Sequence, residues 1–349
     1  MIVKNEAPVI ARCLASVKPW VDSWVIVDTG SSDGTQAIVE EAMSGVPGTL
    51  HERPWRNFAH NRNEAMELAR CHGDYLLFID ADEVLETDLG FAWPELHIGG
   101  YQLRCKLGDW SYNRNSLVAT DQLWRWEGVL HEYLTLDSPH TWGVLPGASI
   151  VVARDGARAR DANTYLRDIE VLERAVRDEP HNARYRFYLA QSYRDAGRSE
   201  ESLRVYRERE AMGGWEEERW FSLYQIAVLL EAAGASRKDI IEAYLSAWQA
   251  RPQRAEPLYR LARYHRLRNE FALAWMFAGQ AVAIARPADA LFLDDSVYAW
   301  RSLDELAVSA YYVGAVEQGR AALKQLLDER RFPSEEHPRI EGNKQYFGL

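Results

Sequence analysis

The sequence predicts an α/β domain with a mostly parallel sheet over about residues 1–160, followed by an all-α repeat domain over 161–349. Three observations lead there. Short apolar runs, Trp24–Val27 and Tyr75–Ile79, alternate with helical periodicities in the first part of the chain. Both runs end in clusters of Asp, Ser and Gly, or of Asp and Glu. Past Asn163 the strand signals vanish, and small residues recur at a near-constant interval.

Length and composition support two globular domains. A chain of 349 residues exceeds one ordinary core, and 47% hydrophobic with 27% charged residues excludes disorder. A net charge of −11 argues against a surface that coats nucleic acid. Cys13, Cys71 and Cys105 are odd in number and far apart, so the expectation is buried reduced thiols in a cytoplasmic protein. No stretch is long and apolar enough to span a bilayer.

Taken in order, Ile2-Val3 is the stump of a first strand. A helical pattern through Ile10, Leu14 and Val17 stops near Pro19. Trp24–Val27 is a second strand, and Asp28–Thr35 forms the polar turn that opens a helix over 36–43. In an α/β sheet such a turn lies where a nucleotide binds. Its glycine spacing is not the dinucleotide pattern, and its acids and hydroxyls suit a base or ribose. Asp33 also serves as a helix cap in this pattern. Phe58–Asn63 opens a further helix, and Arg62 near its start is placed for an anion or for a salt bridge to Glu6 or Asp28.

Tyr75–Ile79 reads as a strand buried on both faces at the centre of the parallel sheet, and it runs into Asp80-Ala81-Asp82-Glu83. Asp80 and Asp82, two apart, leave the strand on one side. Two carboxylates there repel unless a hard cation such as Mn²⁺ or Mg²⁺ lies between them. An acidic solvated turn is the bland reading of the same residues.

Met1–Glu6, Val27–Thr35, Arg62-Asn63 and Ile79–Glu83, in that order, resemble the signatures of family 2 glycosyltransferases with the GT-A fold. The likeness covers roughly the first 160 residues. It implies that Val3, Asn5, Glu6, Asp28, Asp33, Arg62, Asp80 and Ala81 contact a nucleotide-sugar donor, with UDP as the nucleotide. Asp80 and Asp82 would hold the metal-bound diphosphate. Members usually carry several residues before the Met1–Glu6 segment; here the first strand is short. Glu127–Glu132 contains Gly-x-x-His-Glu and resembles the branch with lipopolysaccharide-core transferases and bacterial peptide glycosyltransferases. There the His is a further metal ligand, which maps to His131. Glu132 is then the leading catalytic base beside Asp82, with Asp109 and Asp121 as rivals. Relatives often have a His near Arg154, and this chain has none.

Trp110, Trp124 and Trp126 line either a sugar pocket or the core. Arg154, Arg158 and Arg160 meet either the diphosphate or solvent. Beyond them, Ala190, Ala227, Ala262 and Ala307 recur at intervals of 37, 35 and 45 residues. Each is followed seven residues later by Gly197, Gly234, Asn269 or Gly314. These intervals all exceed the tetratricopeptide unit of about 34 residues, two of them by only a few residues. Ser202, Ala274, Gly319 and Ala243 supply the small residues for close helix packing, and Tyr185–Tyr193 resembles a tetratricopeptide helix. Such a solenoid offers a groove for a polypeptide acceptor, and serves equally as a homodimer platform.

The function expected is metal-dependent, inverting transfer of a sugar from a nucleotide diphosphate donor to a protein or peptide. A carbohydrate or lipid-linked acceptor is the alternative. A non-catalytic scaffold is disfavoured by the intact Asp80, Asp82, His131 and Glu132. A nucleotidyltransferase would need a Gly-rich, lysine-containing loop at the first strand.

Overall fold

The computed structural model describes residues 1–349 and divides them into two compact units, Met1–Arg198 and Ser199–Leu349. In the first, β1 (Ile2–Val3), α1 (Ile10–Val17), β2 (Trp24–Asp28), α2 (Thr35–Ala42), β3 (Gly48–Glu52) and α3 (Phe58–Ala69) follow in order. The three strands form a parallel sheet with β2 between β1 and β3. Ile10, Cys13, Leu14 and Val17 line the buried face of α1, and a 3₁₀ turn containing Pro19 follows it. The Asn57 side chain caps α3 by accepting from the His60 amide.

The acidic strand departs from expectation. Only Tyr75–Leu77 is β4, it is partly buried, and it pairs antiparallel with β7 (Trp110–Ala119), outside the parallel sheet. An apolar run reports burial; it carries no information about the direction of its neighbour. β5 (Glu83–Thr87), β6 (Gly100–Leu107) and β10 (Gly143–Val152) complete a mixed sheet in which β10 lies between β6 and β5. β6 and β7 form an antiparallel hairpin that turns at Gly108, φ 55°. β8 (Arg125–Glu127) and β9 (Tyr133–Thr135) make a separate two-stranded ribbon. Leu103, Cys105, Leu117 and Ile150 are fully or nearly buried under the mixed sheet.

Trp124 and Trp126 are core residues, packed with Met66, Phe78, Val118 and Leu134. Trp110 is partly buried on β7. Cys13 and Cys105 are buried as expected, but Cys71 is exposed beyond the end of α3. The sheet ends at Val152, but the compact unit runs past the boundary expected at residue 160. The compact unit continues through α4 (Ala157–Arg160), α5 (Thr164–Asp178) and α6 (Ala183–Asp195) to Arg198.

The second unit is a solenoid of tetratricopeptide-like helix pairs: α7 (Ser199–Ala211), α8 (Glu216–Ala232), α9 (Arg237–Ala250), α10 (Glu256–Arg266), α11 (Phe271–Val282), α12 (Ser302–Tyr312), α13 (Val316–Glu329) and α14 (His337–Gly342). Gly234, Asn269 and Gly314 turn the chain within pairs with φ of 65°, 58° and 77°. Ala227, Ala262 and Ala307 are fully buried. A Cβ on Gly319 would meet the Phe347 ring at 2.5 Å, so the close approach requires glycine. Ala243 is only half-buried; Ala247, one turn later, is the small residue buried in α9. The longer third interval holds the connection 283–301. Its Asp289 carboxylate and its Leu291 and Phe292 carbonyls accept from Arg254, which lies 3.7 Å over the Trp220 ring.

Candidate active site

The parallel strands deliver their carboxyl ends to one side. Asp28 ends β2 almost wholly buried, at 1% exposure. Its Oδ1 accepts from the amides of Gly30 at 2.8 Å and Ser31 at 2.7 Å. Its Oδ2 is buried without a partner. The β1–α1 turn is laced to the β2–α2 turn. Ser32 donates its amide to Asn5 Oδ1, the Asn5 amide donates to Ser31 Oγ, and the Glu6 amide donates to Thr35 Oγ1. Asp33 accepts from the amides of Ala7 and Thr35 and from the Thr35 hydroxyl. Desolvation opposes these bonds, yet they hold its pKa below the usual carboxylate range. The Val3 carbonyl accepts from both the amide and the hydroxyl of Thr29. Val3, Asn5 and Asp33 thus build the turn walls, whereas Asp28 keeps one buried acceptor without a protein partner.

Arg62, carried by α3, joins two segments. Its Nη2 donates to Asp80 Oδ1 at 2.7 Å, its Nε donates to Glu132 Oε1, and its guanidinium lies 4.9 Å over the Trp126 ring. These partners replace Glu6 and Asp28, the salt-bridge partners expected from sequence. Arg114 of β7, which sequence reasoning missed, binds Glu83 through both nitrogens at 2.7 and 2.6 Å and stands 3.7 Å from Asp80. Burial works against the ionised Asp80, but Arg62 and Arg114 prevail and lower its pKa.

Two other carboxylates have the opposite setting. Burial, then the charge of Asp80, raises the pKa of Asp82. A Cβ on Gly156 would come within 3.0 Å of the Asp82 carboxyl carbon, so the chain closes tightly over it. Glu6 is pushed up to about 7, by burial first and then by Asp82 and Asp33, although the Ala157 amide donates to it. Ala81 between the acids is buried in the core of the parallel layer.

The loop 128–132 joins β8 to β9. Gly128 (φ 112°) and His131 (φ 51°) both occupy the left-handed region. The His131 ring stacks on Tyr188 of α6, centroids 3.9 Å apart and 8° from parallel. Desolvation where the ring lies against α6, then the guanidiniums of Arg158, Arg184 and Arg154, lowers its pKa, although the residue as a whole is exposed. No three His, Cys, Asp or Glu side chains converge in a metal-binding group, so Asp80, Asp82 and His131 are not gathered as the expected ligand set. The reason is the commitment of His131 to α6 and of Asp80 to two arginines. The rival bases are exposed, Asp109 in the β6–β7 turn and Asp121 in the segment before β8. Arg158 pairs with Asp168 at 2.7 Å, and Arg160 donates to the Asn5 carbonyl.

Residues 1–90 fit the family model described as glycosyl transferase family 2. This N-terminal segment is a family 2 glycosyltransferase domain. The lipopolysaccharide core biosynthesis glycosyltransferase LpsC of Rhizobium meliloti is 36% identical over 97 residues, 28% of this chain and 35% of that protein. A TPR repeat-containing protein of Synechococcus elongatus is 45% identical over 96 residues, 28% of this chain and 22% of that one. The prophage-derived glycosyltransferase SunS of Bacillus subtilis is 24% identical over 217 residues, covering 58% of this chain and half, 50%, of SunS. The chain spans half or less of the length of these relatives. Among solved structures, MamA aligns at TM-score 0.38 and 14% identity, over 49% of this chain and 93% of that one. A tetratricopeptide repeat protein of Parabacteroides merdae aligns at TM-score 0.40 and 15% identity, over 53% and 68%. The glycosyltransferase domain's sequence match ends at residue 90, short of Arg114, His131 and Glu132.

Proposed function

We propose that this chain transfers a sugar, with inversion, from a nucleotide diphosphate donor to a polypeptide nucleophile, with UDP as the nucleotide and the cytoplasm as the compartment. The observation that carries the donor reading is Asp28. A buried carboxylate oxygen without a protein partner calls for a donor from outside, and the N–H of a pyrimidine base supplies one. Glu6 and Arg62 flank the path from there to Asp80, Ala81 and Asp82, where the diphosphate lies in this reading.

The residues fit a divalent cation at Asp80 and Asp82. Burial, with neighbouring carboxylates adding to it, raises the pKa of Asp82 and Glu6, so a cation beside them would favour their ionised forms, and hard oxygen donors suit Mn²⁺ or Mg²⁺. When bound, the cation offsets charge on the leaving diphosphate, worth several kcal/mol. His131 stays stacked on Tyr188 and stands outside this pair of carboxylates. Glu132 takes the acceptor proton as the acceptor oxygen bonds to the anomeric carbon and the bond to the diphosphate breaks. Arg62 orients Glu132 from one side.

The polypeptide acceptor rests on the tetratricopeptide-like helices, whose stacked pairs suit an extended peptide. A carbohydrate or lipid-linked acceptor is the second reading, favoured by the likeness to a lipopolysaccharide core enzyme. No helix is long and apolar enough to cross a membrane. The test is nucleotide release from a panel of nucleotide sugars, with mass spectrometry of proteins and glycans in the lysate of the source cells. Release that persists fully in excess chelator removes the metal; labelled glycan without labelled protein selects the second reading.

A further inference from the structure

We propose that helix α6 is part of the active site, with Tyr188 and Arg184 as positioning residues that fix the loop bearing His131 and Glu132. The proposal rests on the transferase reading above for the role of that loop. The loop needs outside support. It is held by a ribbon of two three-residue strands, and two of its residues, Gly128 and His131, have left-handed backbones. A ribbon so short does not define its own connection.

Helix α6 supplies the support through one face. Arg184 and Tyr188 are one turn apart and point the same way. Tyr188 lies flat against the His131 ring. Arg184 Nη2 donates to the His131 carbonyl at 3.2 Å, and its guanidinium lies 4.9 Å from the rings of both Tyr188 and Tyr133. The loop is therefore gripped at the ring and at the carbonyl of His131, and at the first residue of β9. From the opposite side Arg62 of α3 grips Glu132. Helix α3 holds the carboxylate and α6 holds its neighbour. Tyr188 itself is 8% exposed, and its stacking partner sits in a surface loop.

The experiment compares the full chain with Tyr188→Ala, Tyr188→Phe and Arg184→Ala, measuring steady-state nucleotide release and melting temperature. Tyr188→Ala is expected to lower kcat by about 10- to 100-fold, the effect of a small misplacement, with donor KM unchanged. Tyr188→Phe, which keeps the ring, is expected to restore kcat. A second readout needs no activity: carbethoxylation of His131 by diethyl pyrocarbonate, followed by peptide mass spectrometry, is expected to quicken in Tyr188→Ala. Should Tyr188→Ala fail to fold, Arg184→Ala carries the same comparison, with Arg184→Lys as the conservative control. A wild-type chain that releases no nucleotide from any donor sinks the transferase reading, and the carbethoxylation rate still judges the grip. Unchanged kcat and unchanged His131 reactivity in the folded variants overturn the role of α6.

Discussion

Asp28 divides its two oxygens between structure and recognition, and a single substitution separates them. Asp28→Asn keeps an oxygen for the Gly30 and Ser31 amides and puts an N–H where the buried, unpartnered acceptor was. Calorimetry should show nucleoside diphosphate binding weakened by about 1–3 kcal/mol, with the melting temperature nearly unchanged. Equal affinity would mean that the buried oxygen faces no ligand. Glu6 gives a pH signature. Its pKa is raised from 4.5 to about 7, chiefly by burial. The folded chain therefore holds this proton more tightly than the unfolded chain does. The stability it contributes is complete below about pH 4.5 and is lost as pH rises through 7. Glu6→Gln should flatten the melting temperature across that window and raise it at the alkaline end. A slope identical to wild type would refute the raised value.

Helix α3 owes its place to its amphipathic pattern and its Asn57 cap, and through Arg62 it neutralises Asp80 and Glu132. Arg62→Ala leaves Glu132, whose side chain is 8% exposed, without its counter-charge. The expected loss of about 3 kcal/mol, read by urea unfolding, is that of a broken buried pair. Arg62→Lys should recover part of it, since an ammonium cannot present the same two-pronged donor. The segment between β10 and α4 gives a contrasting test. Gly156→Ala adds a methyl 3.0 Å from the Asp82 carboxyl and should reduce turnover while sparing the fold. At this scale much was legible in advance. The spans of α1, α2 and α3 follow from apolar periodicity, and the polar turn after β2 from its Asp, Ser and Gly content. The pairing of β4 with β7 was not legible, because an apolar run is compatible with neighbours of either direction. Arg114 was hidden for a related reason: it meets Glu83 across 31 residues, and only strand register brings them together. Tyr188 was hidden further, since it lies in a helix whose sequence reads as repeat packing.

Across the whole chain, the repeats were the most legible part, because left-handed turn residues and buried alanines are fixed by local chemistry. The insertion behind the 45-residue interval was visible as a number alone. Its anchor, Arg254, is completely buried with Glu256 and stacked on Trp220. Arg254→Leu should strip Glu256 of its partner and destabilise the second unit by about 3–5 kcal/mol. A denaturant titration of the full chain, followed by tryptophan fluorescence, would register this as an early transition. The three cysteines lead somewhere different. Burial pushes the Cys105 thiol up to about 11 and that of Cys13 higher still, so both resist alkylation. Cys71 is exposed, just past the helix that carries Arg62. A maleimide dye added to the native chain should therefore find one address, and the brightness of a fluorophore there would report movement of that helix without any engineered label site.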